Sequence, residues 1–167
     1  MGSGKLALLL AQVYDASGAE VHIVGRDKRQ LGLARQLGLT NTIDATAIDW
    51  KKAVLDVTHG VGPRIVVEAA GSIEGFEMAF EIVRNGGIVN LKSMHCGEYQ
   101  FNPTDIVQRE LKIIGTVRGP FHKAIDLLSK GRIEVKRLVS KEFRLEDGTK
   151  AFEYADQPSA TRVIVNI

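Results

Sequence analysis

Residues 1–28, MGSGKLALLLAQVYDASGAEVHIVGRDK, contain the pattern that decides the fold. A glycine loop at 2–4 leads into apolar residues at helical spacing, which predicts a helix over 5–17. The β-rich run EVHIVG at 20–25 follows, and a charged turn then begins a second predicted helix at 27–37. Loop, helix, strand and helix in this order are typical of an α/β unit.

The alternation of short apolar runs with amphipathic stretches continues to about residue 133. Such alternation implies parallel strands joined by right-handed crossovers. We therefore expect an α/β fold: a Rossmann-type, doubly wound parallel sheet with helices on both faces. The further predicted strands are 42–44, 64–69, 88–92 and 111–117, and the further predicted helices are 49–59, 72–84, 103–109 and 120–130.

Length and composition fit one domain over residues 1–167, in which a tail of different character, 134–167, packs back on the rest. The formal net charge is +2 and no long run of like charges occurs, so nucleic acid and membrane surfaces are not expected partners. The single cysteine, Cys96, excludes an internal disulfide. No signal-peptide pattern or membrane-spanning run is present, so we expect a cytoplasmic protein.

The first candidate binding loop consists of Gly2, Ser3, Gly4, Lys5 and Leu6. In the G-x-G-x-x-G/A pattern of dinucleotide-binding units, glycines permit a tight turn, and the helix N-terminus faces the pyrophosphate. Here the third small residue is Ala7. A nucleoside-triphosphatase loop fits less well, because Leu6 stands where that loop needs a hydroxyl residue. A remnant of an expression vector, the third alternative, leaves the spacing of the helix unexplained.

The second candidate site lies at the end of the strand at 20–25 and consists of Gly25, Arg26 and Lys28. Dinucleotide-binding units hold the adenosine ribose at this strand end, and an NAD site places Asp or Glu there. A guanidinium instead pairs with a 2′-phosphate, so Arg26 after Gly25 favours NADP over NAD as the cofactor. Asp27 is the predicted N-cap of the next helix. The alternative interpretation is that these charges form a solvated helix start.

The third candidate site, Ala70 and Gly71, follows the strand at 64–69. Small residues there allow a cofactor to cross the carboxyl end of a parallel sheet at its switch point. Gly71 and Ser72 equally suit a tight turn and a helix N-cap. Both interpretations stay open on the sequence.

Together these stretches resemble the nucleotide-binding half of the medium-chain dehydrogenase/reductase family, the zinc-type alcohol, polyol and threonine dehydrogenases. They cover nearly the whole chain in the same order, which is more specific than one motif. The resemblance implies an NAD(P)-dependent oxidoreductase that transfers hydride at CH–OH groups. The matching stretches are GSGKLALLLAQV (2–13), GAEVHIVGRDKRQLGLARQLG (18–38), VVEAAGS (66–72), NGGIVNL (85–91), AIDLLSKGRI (124–133) and FRLEDGTKAFEYADQPSATRVIVNI (143–167).

The resemblance also implies where the nicotinamide lies and what this sequence lacks. By position, it places the nicotinamide against Ser93, Met94, Val117 and Arg118. The family's catalytic domain, which carries the zinc ligands, is missing, so we predict no catalytic and no metal-binding residue in the chain and no turnover by it alone. The neighbours His95 and Cys96 are interpreted as loop residues rather than metal ligands.

The family's first sheet strand, of the form V-x-V-x-G, is missing as well. Its loss would leave unpaired backbone groups on the strands at 20–25 and 64–69. We expect TRVIVNI (161–167) to fill the gap, or a strand of another chain to fill it by exchange. The predicted edge strand at 111–117 also needs covering, which favours a homodimer through that strand.

Two functions stay open on the sequence. The first is the cofactor-binding domain of an NAD(P)-dependent dehydrogenase, inactive alone, and the second is a non-catalytic nucleotide-binding module. An S-adenosylmethionine methyltransferase is disfavoured, because such enzymes want an acidic residue where Gly25 stands.

Overall fold

The computed structural model of the chain describes residues 1–94, 98–100, 102–157 and 160–167. Strand and helix alternate as predicted from the hydrophobic periodicity. The helices are α1 Lys5–Ala16, α2 Lys28–Gln36, α3 Trp50–Val57, α4 Ile73–Ile82, α5 Pro103–Gln108, α6 Phe121–Ser129 and α7 Gly148–Ala155. The strands are β1 Ile23–Gly25, β2 Thr42–Asp44, β3 Ile65–Glu68, β4 Ile88–Leu91, β5 Lys112–Gly115, β6 Lys141–Arg144 and β7 Val163–Asn166.

The main sheet consists of two parallel groups of strands, joined by Met1 and Gly2. β1 pairs with β2, and β3, β4 and β5 pair in that order. The Met1 amine donates to the Val67 carbonyl (2.7 Å), and the Met1 carbonyl accepts from the Ala69 N–H (2.9 Å). On the other side, the Gly2 N–H donates to the Val24 carbonyl (2.8 Å). The strand order is therefore that of a Rossmann sheet, in which Met1 and Gly2 occupy the end of the first strand's position between β1 and β3.

Helices cover both faces of this sheet. Adjacent residues of β1 point to opposite sides, because side chains alternate along a strand. Val24 joins the buried cluster that includes Phe76 of α4, whereas Ile23 joins the one that includes Leu8 of α1 and Leu31 of α2. The doubly wound α/β prediction is confirmed.

The tail forms a small sheet of its own. β7 pairs in parallel with β6, and the rings of Phe143 and Tyr154 lie 5.8 Å apart between β6 and α7. Ser140 fixes the start of β7: its hydroxyl accepts from the Thr161 N–H, and its own N–H donates to the Arg162 carbonyl, both at 2.7 Å. The prediction that this last run fills the gap beside β1 is therefore wrong, because β7 pairs with β6 instead.

Candidate nucleotide-binding site

A cleft of about 440 Å³ opens at the carboxyl ends of β1 and β3. In open α/β sheets, ligands bind at this edge where the strand order reverses. The cleft joins the glycine loop, the charged turn after β1 and the turn after β3, which lie far apart in the sequence. Of the predicted site residues, it is lined by Gly2, Ser3, Gly4, Gly25, Arg26 and Ala70.

The glycine loop approaches the turn after β3 closely. Gly2 has a φ of 104°, and a Cβ there would lie 2.7 Å from the Ala69 carbonyl oxygen, so position 2 requires glycine for both reasons. A Cβ at Gly4, in contrast, would have no atom within 4 Å. Gly4 therefore leaves open space above the beginning of α1.

The N-terminus of α1 is uncapped and faces this open space. Gly4 precedes the helix without any side-chain cap, and the first helical hydrogen bond runs from the Leu8 N–H to the Gly4 carbonyl (3.0 Å). In α2 and α4, by comparison, the side chains of Asp27 and Ser72 accept from backbone N–H groups of the first turn. The N–H groups of the α1 first turn are thus available to an anion.

Ser3 explains why position 25 is glycine. The Ser3 side chain is buried, and its hydroxyl donates to Gln30 Oε1 of α2 (3.1 Å). A Cβ at Gly25 would lie 2.4 Å from both Cβ and Oγ of Ser3. No carboxylate side chain fits at position 25 while Ser3 keeps this place.

The charged turn after β1 presents one acidic and two basic side chains. Asp27 Oδ1 accepts from the backbone N–H groups of Arg29 (2.8 Å) and Gln30 (3.3 Å). Burial pushes the pKa of Asp27 upward, but these two hydrogen bonds and the Arg29 charge outweigh it and leave the pKa below its ordinary value. Arg26 is exposed, and Lys28 Nζ lies 3.8 Å from Asp44 Oδ2. The acidic member therefore serves the helix cap, and both cations reach solvent.

Glu68, at the end of β3, was missed by the sequence analysis as a functional residue. Its side chain is fully buried, and Oε1 accepts from the N–H groups of Ala70 (2.7 Å) and Gly71 (3.1 Å). Its second oxygen accepts from the Ser93 hydroxyl. One carboxylate thus ties the turn after β3 to the loop after β4. The only signal in the sequence is a charged residue that ends an apolar strand.

The other predicted site residues lie outside the lining of the cleft. Ser93 is half-buried and its hydroxyl donates to Glu68. Met94 and Val117 expose 89% and 81% of their surface. Lys5 and Arg118 are exposed as well, and Leu6 is 39% exposed. Gly71 and Lys28 flank the cleft, at the turn after β3 and the start of α2. His95 and Cys96 lie outside the described residues.

Neither a metal cluster nor a membrane helix is found in the described ranges. No three or more His, Cys, Asp or Glu side chains converge there as a metal site would need. The helices there also lack the length and apolarity that crossing a membrane requires.

The chain belongs to the zinc-binding dehydrogenase family, whose pattern residues 4–130 match. The resemblance seen in the sequence is thereby confirmed. A sorbitol dehydrogenase of Halalkalibacterium halodurans is 28% identical over 98% of this chain and 50% of its own length. The chain spans about half the length of the curated relatives that it matches.

Solved structures show the same fold. An alcohol dehydrogenase from Thermus sp. ATN1 superposes with a TM-score of 0.89 at 26% identity, over 99% of this chain and 51% of that one. A zinc-binding dehydrogenase from Sinorhizobium meliloti 1021, solved with NADP bound, gives a TM-score of 0.86 at 26% identity, with the same coverage. The described strands and helices therefore correspond to half of such a dehydrogenase.

Proposed function

We propose that this chain is the cofactor-binding part of a dehydrogenase and that it binds a nicotinamide dinucleotide across the cleft, with NADP(H) preferred over NAD(H). The observation that carries the proposal is that one cleft contains both the uncapped N-terminus of α1 and the exposed guanidinium of Arg26. A dinucleotide carries anionic groups at both of these places: the pyrophosphate and, in NADP, the 2′-phosphate.

The pyrophosphate is the group that suits the N-terminus of α1. The helix dipole and the free N–H groups of its first turn favour an anion there, and no acidic side chain lies in that turn. Gly4 leaves room for the backbone to approach the phosphate closely. The glycine loop is held in place without a ligand, because Met1 and Gly2 are hydrogen-bonded to both neighbouring strands.

The preference for NADP(H) rests on the turn after β1. An NAD site uses a carboxylate at the strand end, and Ser3 excludes any side chain from position 25. Asp27 is the nearest carboxylate in sequence, but its Oδ1 already accepts hydrogen bonds from the Arg29 and Gln30 N–H groups and so caps α2. Arg26 and Lys28 remain as two exposed cations that can hold a 2′-phosphate. The NADP-bound relative supports this choice.

The nicotinamide end of the cofactor would cross the carboxyl edge of the sheet. In this proposal, Ala70 and Gly71 let it pass close to the backbone, and Glu68 holds their turn in place. The nicotinamide ring itself would lie against Ser93, Met94, Val117 and Arg118. The bound dinucleotide supplies the hydride chemistry, while this chain binds and orients it.

The activity proposed for the whole enzyme is oxidation or reduction at a CH–OH group, by analogy with the sorbitol and alcohol dehydrogenases among its relatives. Zinc and the substrate pocket belong, in this proposal, to the catalytic part that the matching relatives have and residues 1–167 lack. We accordingly expect no turnover by this chain alone. One domain over 1–167, a homodimer through β5 and a cytoplasmic location stay predictions.

Calorimetric titration with NADPH and NADH tests the proposal. We expect NADPH to bind more tightly than NADH, and Arg26→Ala to weaken NADPH binding at least tenfold, because a charge-assisted hydrogen bond is worth about 1.5–3 kcal/mol. NADH binding should change less than twofold. Arg144→Ala is the matched control, since this arginine is also exposed but lies on β6. Equal affinity for both cofactors would contradict the NADP preference, and absence of binding would contradict the site.

A further inference from the structure

A polar cluster of three side chains, Asn90, Lys92 and Thr116, lies at the carboxyl edge of β4 and β5. Lys92 Nζ donates to the Thr116 hydroxyl (2.9 Å) and to the Thr116 carbonyl (3.1 Å). The Thr116 hydroxyl in turn donates to Asn90 Oδ1 (3.0 Å). The lining of the nucleotide cleft at the ends of β1 and β3 does not include these residues. The cluster therefore has no part in the contacts described so far for the candidate site.

The backbone fixes the position of this cluster, because Lys92 and Thr116 each continue a strand by one residue. The Lys92 N–H donates to the Glu68 carbonyl (2.9 Å). The Thr116 N–H donates to the Leu91 carbonyl (3.2 Å). Side chains alternate along a strand, so Lys92 lies on the face opposite Leu91, which packs against the apolar cluster that includes Phe76. The Lys92 ammonium is thus held at the end of β5, where the parallel strands stop.

Lys92 brings a positive charge to this edge that the hydrogen bonds of its side chain do not neutralise. The residue is half-buried, and both acceptors of its ammonium are uncharged oxygens of Thr116. In the part of the chain that the structure describes, no carboxylate forms an ion pair with it. The nearby Glu68 carboxylate already accepts from three donors, and the Arg118 side chain is exposed. The ammonium is therefore a positioned cation at the carboxyl edge of the sheet.

The nicotinamide half of a dinucleotide would lie at this edge. The proposed function places the adenosine at the end of β1 and the pyrophosphate at the N-terminus of α1. A Rossmann sheet binds the two halves of a dinucleotide on either side of its switch point, so the other half extends over the ends of β3, β4 and β5. Lys92 directly precedes Ser93, and its partner Thr116 directly precedes Val117. Its ammonium therefore lies between the two segments proposed to contact the nicotinamide ring.

We propose, on the basis of that proposed function, that Lys92 makes the site discriminate between the two oxidation states of the cofactor and favour NADPH over NADP⁺. The nicotinamide ring of NADP⁺ carries a positive charge, whereas the ring of NADPH is neutral. The ammonium repels the oxidised ring and has no such effect on the reduced ring. Like charges several ångströms apart in a partly solvated site change an affinity by about fivefold.

The role of Lys92 is separate from that of Arg26. Arg26 lies at the adenosine end, where NADPH and NADP⁺ are identical, and so it selects for the 2′-phosphate and not for the oxidation state. Lys92 lies at the other end, where NADPH and NADP⁺ differ in charge. When both forms are present, a chain with Lys92 is occupied mainly by the reduced cofactor.

Calorimetric titration of the 167-residue chain with NADPH, NADP⁺ and adenosine 2′,5′-bisphosphate tests this role. The quantity compared is the Kd for NADP⁺ divided by the Kd for NADPH. We expect Lys92→Met to lower this ratio about fivefold by tightening the binding of NADP⁺, while NADPH binding changes less than twofold. Lys92→Arg, which keeps the charge, should leave the ratio within about twofold of its original value. Lys112→Met is the matched control, since this exposed lysine begins β5 at the opposite edge of the sheet, and it should not alter the ratio.

Adenosine 2′,5′-bisphosphate lacks the nicotinamide and so separates a failure of this inference from a failure of the proposed function. It should bind the original chain and Lys92→Met equally. If it does and the ratio stays unchanged in Lys92→Met, the role of Lys92 is wrong and the nucleotide site stands. Equal affinity of the original chain for NADPH and NADP⁺ would also overturn the role of Lys92, whatever the variants do. If neither the bisphosphate nor NADPH binds the original chain, the inference and the proposed function are both wrong.

Discussion

The two ends of the space between β1 and β3 are built in opposite ways. At the carboxyl end, Glu68 and Ser3 tie loops together, and the glycines stand where the backbone approaches closely. At the amino end, below Met1, lies a cavity of about 450 Å³ whose lining includes Leu10, Val54 and Ile82. The candidate cofactor site is thus preformed by local contacts at one edge of the sheet, while beneath it, among the described residues, β1 and β3 are joined through Met1 and Gly2. Three measurements probe how independent the two ends are.

The largest effect is expected at the carboxyl end, from Glu68→Ala. Removal of the carboxylate leaves the Ala70 and Gly71 N–H groups and the Ser93 hydroxyl without their acceptor. We expect the free energy of unfolding to fall by about 3 kcal/mol, as for the loss of a buried, multiply bonded acceptor. Urea unfolding followed by circular dichroism measures this change.

The control for Glu68 is Glu68→Gln, which keeps an acceptor oxygen and should recover more than half of the loss. An equal loss in both variants would show that the charge, rather than the hydrogen-bond geometry, holds the two loops. An unchanged free energy of unfolding in Glu68→Ala would show that the carboxyl end does not depend on the hydrogen bonds of Glu68.

At the amino end, the Met1 amine should make the free energy of unfolding depend on pH. Burial lowers the pKa of the Met1 amine from 8.0 to about 6 in the folded chain. Between these pH values the amine is protonated in the unfolded chain but not in the folded chain. The free energy of unfolding is therefore highest above pH 8 and decreases as the pH is lowered to 6. The expected loss over this interval is about 2 kcal/mol.

Urea unfolding at pH 8 and pH 6 measures the loss, and the N-terminally acetylated chain is the control. Acetylation removes the titrating amine but keeps an N–H that can donate to Val67, so this part of the pH dependence should disappear. A free chain and an acetylated chain with the same pH profile would mean that water reaches Met1 through the cavity between β1 and β3 and solvates its charge.

The smallest of the three effects compares two glycines of the candidate site. Gly25→Ala places a Cβ 2.4 Å from Ser3 and should cost about 1.5 kcal/mol of stability, because the loop must shift. Gly4→Ala meets no atom within 4 Å and should change stability by less than about 0.5 kcal/mol. Thermal unfolding of both variants checks the difference, and equal costs would contradict the close approach of Ser3.

Much of the fold could be predicted because it rests on local patterns. The helix caps at Asp27 and Ser72 and the spacing of apolar residues are properties of neighbouring residues, and both caps are formed as expected. The destination of the last run, TRVIVNI, was not predictable in this way. This run would form a strand beside β6 or between β1 and β3. The choice of β6 depends on contacts around Ser140, which lie far from the run in sequence.

The candidate site was predicted in pieces, by residue type. Gly2, Gly25 and Arg26 were recognised separately, and the structure brings all three to one cleft. The role of Glu68 was missed, since a carboxylate acquires three partners only when the turns after β3 and β4 meet.

The sequence by itself determined the α/β alternation, the helix boundaries and the glycine and arginine chemistry of the cleft, because these depend on residues close along the chain. The tertiary structure alone decided which strands pair, why Ser3 excludes a carboxylate from position 25, and that a cavity lies between β1 and β3. Those properties depend on contacts between residues far apart in sequence, and spacing along the chain does not specify them.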